Sequence, residues 1–156
     1  TCISCIVLNR KYHGMLEDKY KFSHTHLNQV YVQMEMVRMQ PAYTVVHANN
    51  FGTSSGEAIA GKYGRLSAKT PFCGIFIEEY YPILQYFLDK GLSRQAYEME
   101  KVINFKKIYS WLCTIRKDEK YIQWKIDDDL EEIMEKHYGY EPYYDVVQQA
   151  VREIRA

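Results

Sequence analysis

One segment of the sequence has the spacing of a phosphate-binding loop. It runs from Gly56 to Lys62, with a second glycine at Gly61. Glycines allow the backbone to approach a phosphate closely, and a lysine supplies positive charge. The next position is Tyr63 instead of the serine or threonine that would hold magnesium, and Glu57 adds a negative charge inside the loop. The preferred interpretation is a glycine-rich connector, with phosphate binding by Gly56, Gly61 and Lys62 as the alternative.

Cysteines and histidines near the beginning of the chain form a second candidate site. Cys2 and Cys5 have the two-residue spacing of a zinc-binding pair, and His24 and His26 follow them. A single residue between the histidines is shorter than the usual spacing in zinc sites. The pattern favours surface histidines and ordinary thiols, so the sequence predicts no metal site and no cofactor.

Acidic residues cluster at Glu78–Glu79 and again between Asp127 and Glu135. A di-iron helix needs Glu-x-x-His, but Met134 stands where the glutamate ahead of His137 would have to be. The three aspartates before Leu130 suit the N-terminus of a helix, where they cap the backbone and favour the helix dipole. We therefore interpret the acidic residues as structural, and a function that is not enzymatic is favoured.

The stretch 84–95 resembles the turn and the start of the recognition helix in a helix-turn-helix. Gly91 lies at the turn, and Arg94 and Gln95 are residue types that read base edges. Phe87 is larger than the residue that usually allows close helix crossing, and this half of the chain is acidic. A plain helical hairpin is the preferred interpretation, and a nucleic-acid binder is the alternative.

Tyrosine is the most unusual feature of the composition, at 15 of 156 residues. Its ring is apolar and its hydroxyl is polar, so it suits surfaces that become half-buried in contacts. The alternative is that many of these residues lie at the edge of the core. The predicted partner-binding residues are Tyr80, Tyr81, Tyr86, Tyr138, Tyr140, Tyr143, Tyr144 and Trp111, with Trp124 as a further anchor.

The elements that position these residues are predicted to be mostly helices. Apolar residues in the second half recur at helical spacing, between good capping and terminating residues. The second of these helices is apolar over a wide stripe, so it is expected to be buried on more than one side. The predicted helices run from Pro82 to Gly91, from Ser93 to the charged cluster 116–120, from Leu130 to Gly139, and from Pro142 onward.

The first half is less regular. The stretch 26–40 fits both helical and strand spacing, and its length favours a helix. A strand is expected at Tyr43–His47, followed by a long loop over 49–64. The expected fold is mainly α, with a helical hairpin and amphipathic helices in the C-terminal half and at most a short strand in an irregular N-terminal half. Residues 1–75 are predicted to form an extended arm, and residues 76–156 a helical domain.

Composition narrows the class of protein. Hydrophobic residues make up 47% of the chain and charged residues 26%, which excludes a disordered chain. The net charge of zero divides into +4 for residues 1–75 and −4 for residues 76–156. Four scattered cysteines favour an intracellular or organellar protein over a secreted one. The apolar run Cys2–Leu8 is expected to be a short strand or helix turn, with the end of a truncated membrane anchor as the alternative.

The function favoured by the sequence is a non-catalytic structural or accessory subunit of a larger assembly. Its expected partners are other protein subunits or further copies of itself, docked through tyrosine-rich surfaces. The alternatives are a nucleotide-binding enzyme that uses the Gly56–Lys62 loop and a helix-turn-helix nucleic-acid binder. Contact with a membrane is expected only if the N-terminus is truncated.

Overall fold

The protein is mainly helical, as predicted. A computed structural model describes residues 10–39, 70–117 and 124–156. None of the helices in these ranges is long and apolar enough to cross a membrane. The elements are α1 (Arg10–Met15), α2 (Asn28–Met39), β1 (Thr70–Pro71), a π-helix (Gly74–Glu79) that continues into α3 (Tyr80–Asp89), α4 (Arg94–Lys117), β2 (Trp124–Lys125), α5 (Leu130–Tyr138) and α6 (Tyr144–Arg155).

The turn between α3 and α4 confirms two of the predicted end signals. Gly91 has a φ angle of 102°, in the left-handed region that residues with a Cβ atom rarely adopt. Ser93 Oγ accepts the backbone N–H of Ala96 at 3.1 Å, which is the hydrogen bond of an N-cap serine. The two helices therefore form the expected hairpin.

The prediction that the first helix of this half begins at Pro82 was wrong. Helical backbone already begins at Phe72, and the wider π-helix lies directly before Tyr80. In a regular α-helix the ring of Pro82 would clash with the carbonyl group four residues earlier. A π-helical turn changes that spacing, so the chain can remain helical through the proline.

The three aspartates do not act together on α5, as the sequence had suggested. Asp129 occupies the N-cap position of α5 but makes no capping hydrogen bond with its side chain. Asp127 is only 1% exposed and binds a different helix, since its carboxylate accepts the backbone N–H groups of Cys73 at 2.7 Å and Gly74 at 2.9 Å. The parallel pairing of β1 with β2 brings these segments together.

Two apolar clusters hold the helices together. The larger one joins the π-helix and α3 to α4, α5 and α6, with Leu84, Ile108 and Leu130 among its buried side chains. The smaller one packs Tyr31 and other α2 residues against Ile83 and Phe87 of α3. Because these two clusters share α3, that helix connects the described N-terminal residues to the C-terminal helices. The division into an arm over 1–75 and a domain over 76–156 stays a prediction.

A lysine is buried within the larger cluster. Lys101 is 6% exposed and forms an ion pair with Glu141. Its ammonium group also lies over the rings of Tyr81, Tyr97 and Tyr138, at 5.9, 5.9 and 5.4 Å from their centroids. A buried charge needs such partners because it loses its hydration on folding.

We expect Asp127→Ala to lower the free energy of unfolding by about 2–3 kcal/mol, because it leaves two helix N–H groups without their acceptor. Urea denaturation followed by circular dichroism would measure this change. The matched control is Asp128→Ala, which removes an exposed carboxylate paired only with Lys125. Equal stability of the two variants would contradict the capping role of Asp127.

His137 predicts a dependence of stability on pH. It is half-buried against Tyr81, and its Nε2 atom has no hydrogen-bond partner among the described residues. Burial, together with the nearby charge of Lys136, lowers the pKa of His137 below its ordinary value of 6.5. As the pH falls, the unfolded chain therefore takes up this proton at a higher pH than the folded chain does. The free energy of unfolding should then decrease as the pH drops below about 6.5.

His137→Gln should reduce the loss of stability between pH 7.5 and pH 5, measured as the urea midpoint at each pH. The exposed His24 provides the control, since His24→Gln leaves the buried ring in place. The prediction fails if His137→Gln loses as much stability between pH 7.5 and pH 5 as His24→Gln and the unchanged protein do.

Candidate docking groove

The phosphate-loop residues Gly56, Gly61 and Lys62 lie outside the described residues. So do Cys2 and Cys5, the expected strand at 43–47 and the loop over 49–64. In the described part of the chain, no three His, Cys, Asp or Glu side chains come close enough together to hold a metal ion. His26 lies beside Glu79, with its Nδ1 atom 3.0 Å from Glu79 Oε1.

The predicted partner-binding tyrosines fall into three groups. Tyr81 and Tyr138 are buried, and their hydroxyl groups hydrogen-bond to each other inside the core. They are therefore not available to a partner in this conformation, and the prediction is corrected for them. The sequence could not distinguish them because accessible tyrosines are their close neighbours in the chain, with Tyr80 next to Tyr81 and Tyr140 two residues after Tyr138. Tyr80, Tyr86, Tyr143 and Tyr144 are partly buried, and Tyr140 is 100% exposed.

The other reactive groups of this region are held in unreactive states. Burial and the adjacent Asp127 carboxylate raise the pKa of the Cys73 thiol, so this thiol remains protonated. Arg94, the proposed base reader, pairs with Glu98 and lies 5.3 Å from the ring centroid of Tyr97. This ion pair lies at the surface, since the Arg94 side chain is 71% exposed, and pairs of this kind are weak. The helix-turn-helix hypothesis therefore stays a prediction.

One concave surface of the described residues is an aromatic groove with a volume of about 550 Å³. Residues from the π-helix, α4, β2 and the start of α2 form its walls. Among the partner-binding residues that the sequence suggested, it contains Tyr80, Trp111 and Trp124. Its aromatic lining consists of Phe72, Phe76, Tyr80, Trp111 and Trp124.

The rings of this groove support one another. The centroids of Phe72 and Phe76 are 4.6 Å apart, and Trp111 lies 6.1 Å from Phe72 at an interplanar angle of 33°. Trp124 packs edge-on against both phenylalanines, at 5.7 and 5.6 Å. Trp111 is still 49% exposed, so one large aromatic face stays open to solvent although the ring is held by its neighbour.

Several polar groups along the groove are already paired. Tyr80 donates its hydroxyl proton to Glu100 at 2.9 Å, and burial raises the pKa of that hydroxyl. Asn104 donates to the backbone carbonyl of Phe76 at 2.9 Å, which attaches the π-helix to α4. The indole N–H groups of Trp111 and Trp124, the ammonium group of Lys107 and the side-chain amide of Gln29 have no partner within the described ranges. All of these groups are donors, and the Gln29 amide also carries an acceptor.

Sequence reasoning identified the two tryptophans as anchors but missed Phe72 and Phe76. Their four-residue spacing is helical, and a helix assigned to this segment would have placed both rings on one face. The expected start at Pro82 excluded that assignment. The groove also needs Trp124, which reaches it only through the β1–β2 pairing.

The chain was compared with known protein families, with curated proteins and with solved structures. None of these comparisons found a match. The groove, and not a relative, is therefore the basis for a functional proposal.

Proposed function

We propose that the protein is a non-catalytic accessory subunit that binds an extended, proline-containing segment of a partner protein in the aromatic groove. The observation that carries the proposal is the set of packed aromatic rings, which includes a half-exposed Trp111 whose centroid lies 6.1 Å from that of Phe72. An exposed aromatic ring that already packs on a neighbour loses less side-chain entropy when a partner binds to it.

The hydrogen-bonding groups along the groove favour an extended partner. Three of the unpaired groups are donors only, namely the indole N–H of Trp111, the indole N–H of Trp124 and the ammonium group of Lys107, and the unpaired Gln29 amide adds a donor and an acceptor. A polyproline II segment carries backbone carbonyl groups that no internal hydrogen bond occupies. It therefore offers acceptors to these donors, while its proline rings pack on the aromatic faces.

One charged group of the groove, Lys107, favours a partner with an acidic residue at that point. Glu100 also lines the groove and keeps its negative charge while it accepts the Tyr80 hydroxyl, so the acidic residue must lie on the Lys107 side. Lys107 is exposed and makes no ion pair with the described residues. A carboxylate beside the proline segment would meet this lysine, which adds to the rate of association and to specificity more than to affinity.

The two alternative functions receive no support from the described residues. Nucleotide binding depends on Gly56, Gly61 and Lys62, which lie outside those residues. The helix-turn-helix hypothesis depends on Arg94, which is engaged by Glu98. Both stay predictions from the sequence.

Tryptophan fluorescence of the full chain tests this proposal directly, since the chain has two tryptophans and both line the groove. The probe is a synthetic peptide with a Pro-x-x-Pro core flanked by aspartates, and the comparison peptide has alanine in place of each proline. We expect a saturable change in emission with the proline peptide and at least about tenfold weaker binding of the alanine peptide. Equal binding of both, or tighter binding of an amphipathic helical peptide, would overturn the proposal.

Two substitutions in α4 test the same groove by calorimetry. Trp111→Ala removes the exposed ring, and Lys107→Glu reverses the charge beside it, so both should weaken binding of the proline peptide, the former by about tenfold or more. Lys106→Glu is the matched control, because its side chain lines a different groove. The groove assignment is wrong if Lys106→Glu weakens binding as much as Lys107→Glu.

A further inference from the structure

A second groove lies on the other side of α4, where that helix meets α6. It has a volume of about 410 Å³ and is almost entirely apolar except along its edges. The side chains that form its apolar surface are Val102, Phe105 and Tyr109 of α4, Tyr143 directly before α6, and Val146 and Ala150 of α6.

Exposed apolar side chains extend this groove. Val146 is 59% exposed, and so is Met99, while Ile103 is 37% exposed. Met99 and Ile103 precede Lys106 by seven and three residues, so helical spacing places them on the same side of α4. Exposed apolar side chains beside an apolar groove are typical of a surface that contacts another macromolecule.

The edges of the groove carry opposite charges that form no ion pair with the described residues, although Arg116 donates a hydrogen bond to the backbone carbonyl of Glu153. Lys106 lies on the α4 edge and makes no ion pair there. Glu153 lies on the α6 edge, where its carboxylate accepts hydrogen bonds from the Tyr109 hydroxyl at 2.7 Å and from Gln149 at 3.0 Å. Tyr109 follows Lys106 by three residues, so the residue that binds Glu153 lies about one helical turn from Lys106 on α4.

We infer that this surface, which we call the α4–α6 face, binds a second copy of the chain in a two-fold symmetric dimer. A two-fold axis along the groove sets α4 of each copy against α6 of the other. Lys106 then faces the partner's Glu153, and the same pair forms a second time across the axis. An isologous interface must be complementary to itself, and an apolar centre with one cation and one anion on opposite edges meets that requirement.

This inference does not depend on the aromatic groove. The two surfaces lie on different sides of α4, and the neighbouring residues Lys106 and Lys107 belong to different grooves. A dimer would present two aromatic grooves, one from each copy. The two proposals can therefore fail independently. Lys107→Glu should weaken peptide binding and leave dimerisation unchanged, whereas Lys106→Glu should weaken dimerisation and leave peptide binding unchanged.

Sedimentation equilibrium of the full chain tests the dimer. Lys106→Glu and Glu153→Lys should each weaken dimerisation by at least about tenfold, because each creates a like-charge contact twice across the axis. An equimolar mixture of the two variants should regain the dimer, since the introduced glutamate of one chain then faces the introduced lysine of the other, and the second pair is the original one. This rescue requires contact between chains and is not expected of a purely structural effect within one chain.

Three further measurements complete the test. Val146→Glu places a charge at the apolar centre and should leave the protein monomeric, while Lys107→Glu should dimerise like the unchanged chain. Circular dichroism and urea midpoints confirm that each variant is folded. A chain that stays monomeric up to about 0.5 mM overturns the inference. It is likewise overturned if the single variants dimerise normally or if the mixture associates no better than its components.

Discussion

The buried carboxylate of Asp127 determines how the C-terminal helices meet. It accepts two backbone N–H groups at the start of the helical segment that contains the π-helix and α3, although it belongs to the loop before α5. Arg155, near the end of α6, donates to the backbone carbonyl groups of Asp127 and Asp128, which connects the last helix to the same loop. A buried carboxylate is stable only with such donors, so a different position of these segments would leave the charge unpaired.

The aromatic groove follows from this constraint. Cys73 and Gly74, which bind Asp127, lie directly beside Phe72, so the same contact that closes the core also sets that ring at the base of the groove. The π-helix then directs Phe76 toward Trp124, and Asn104 of α4 satisfies the carbonyl of Phe76. Local departures from α-helical geometry occur frequently at functional sites, and here the departure supplies one wall of the groove.

Helix α4 connects both proposed surfaces. Apolar residues occupy much of the circumference of this helix. One side of the helix is buried in the core, and two other sides line the aromatic groove and the groove next to α6. Lys101 on the buried side is enclosed by tyrosine rings and Glu141, whereas Lys106 and Lys107 remain exposed. In the proposed assembly subunit, one long helix would therefore provide the core contact and both proposed docking surfaces.

The class of fold and much of the helical pattern could be predicted from the order of the residues. Helical spacing with clear end signals, such as Gly91 and Ser93, acts over a few residues, and these interactions are the same in any tertiary context. The same reasoning pointed to Trp111 and Trp124 as anchors. The burial of Tyr81 and Tyr138, the capping of a distant helix by Asp127, and the joining of Phe72 and Phe76 to the tryptophans emerged only once the helices were packed. Each of these outcomes depends on contacts between residues far apart in the chain, and local spacing contains no information about which segments will meet.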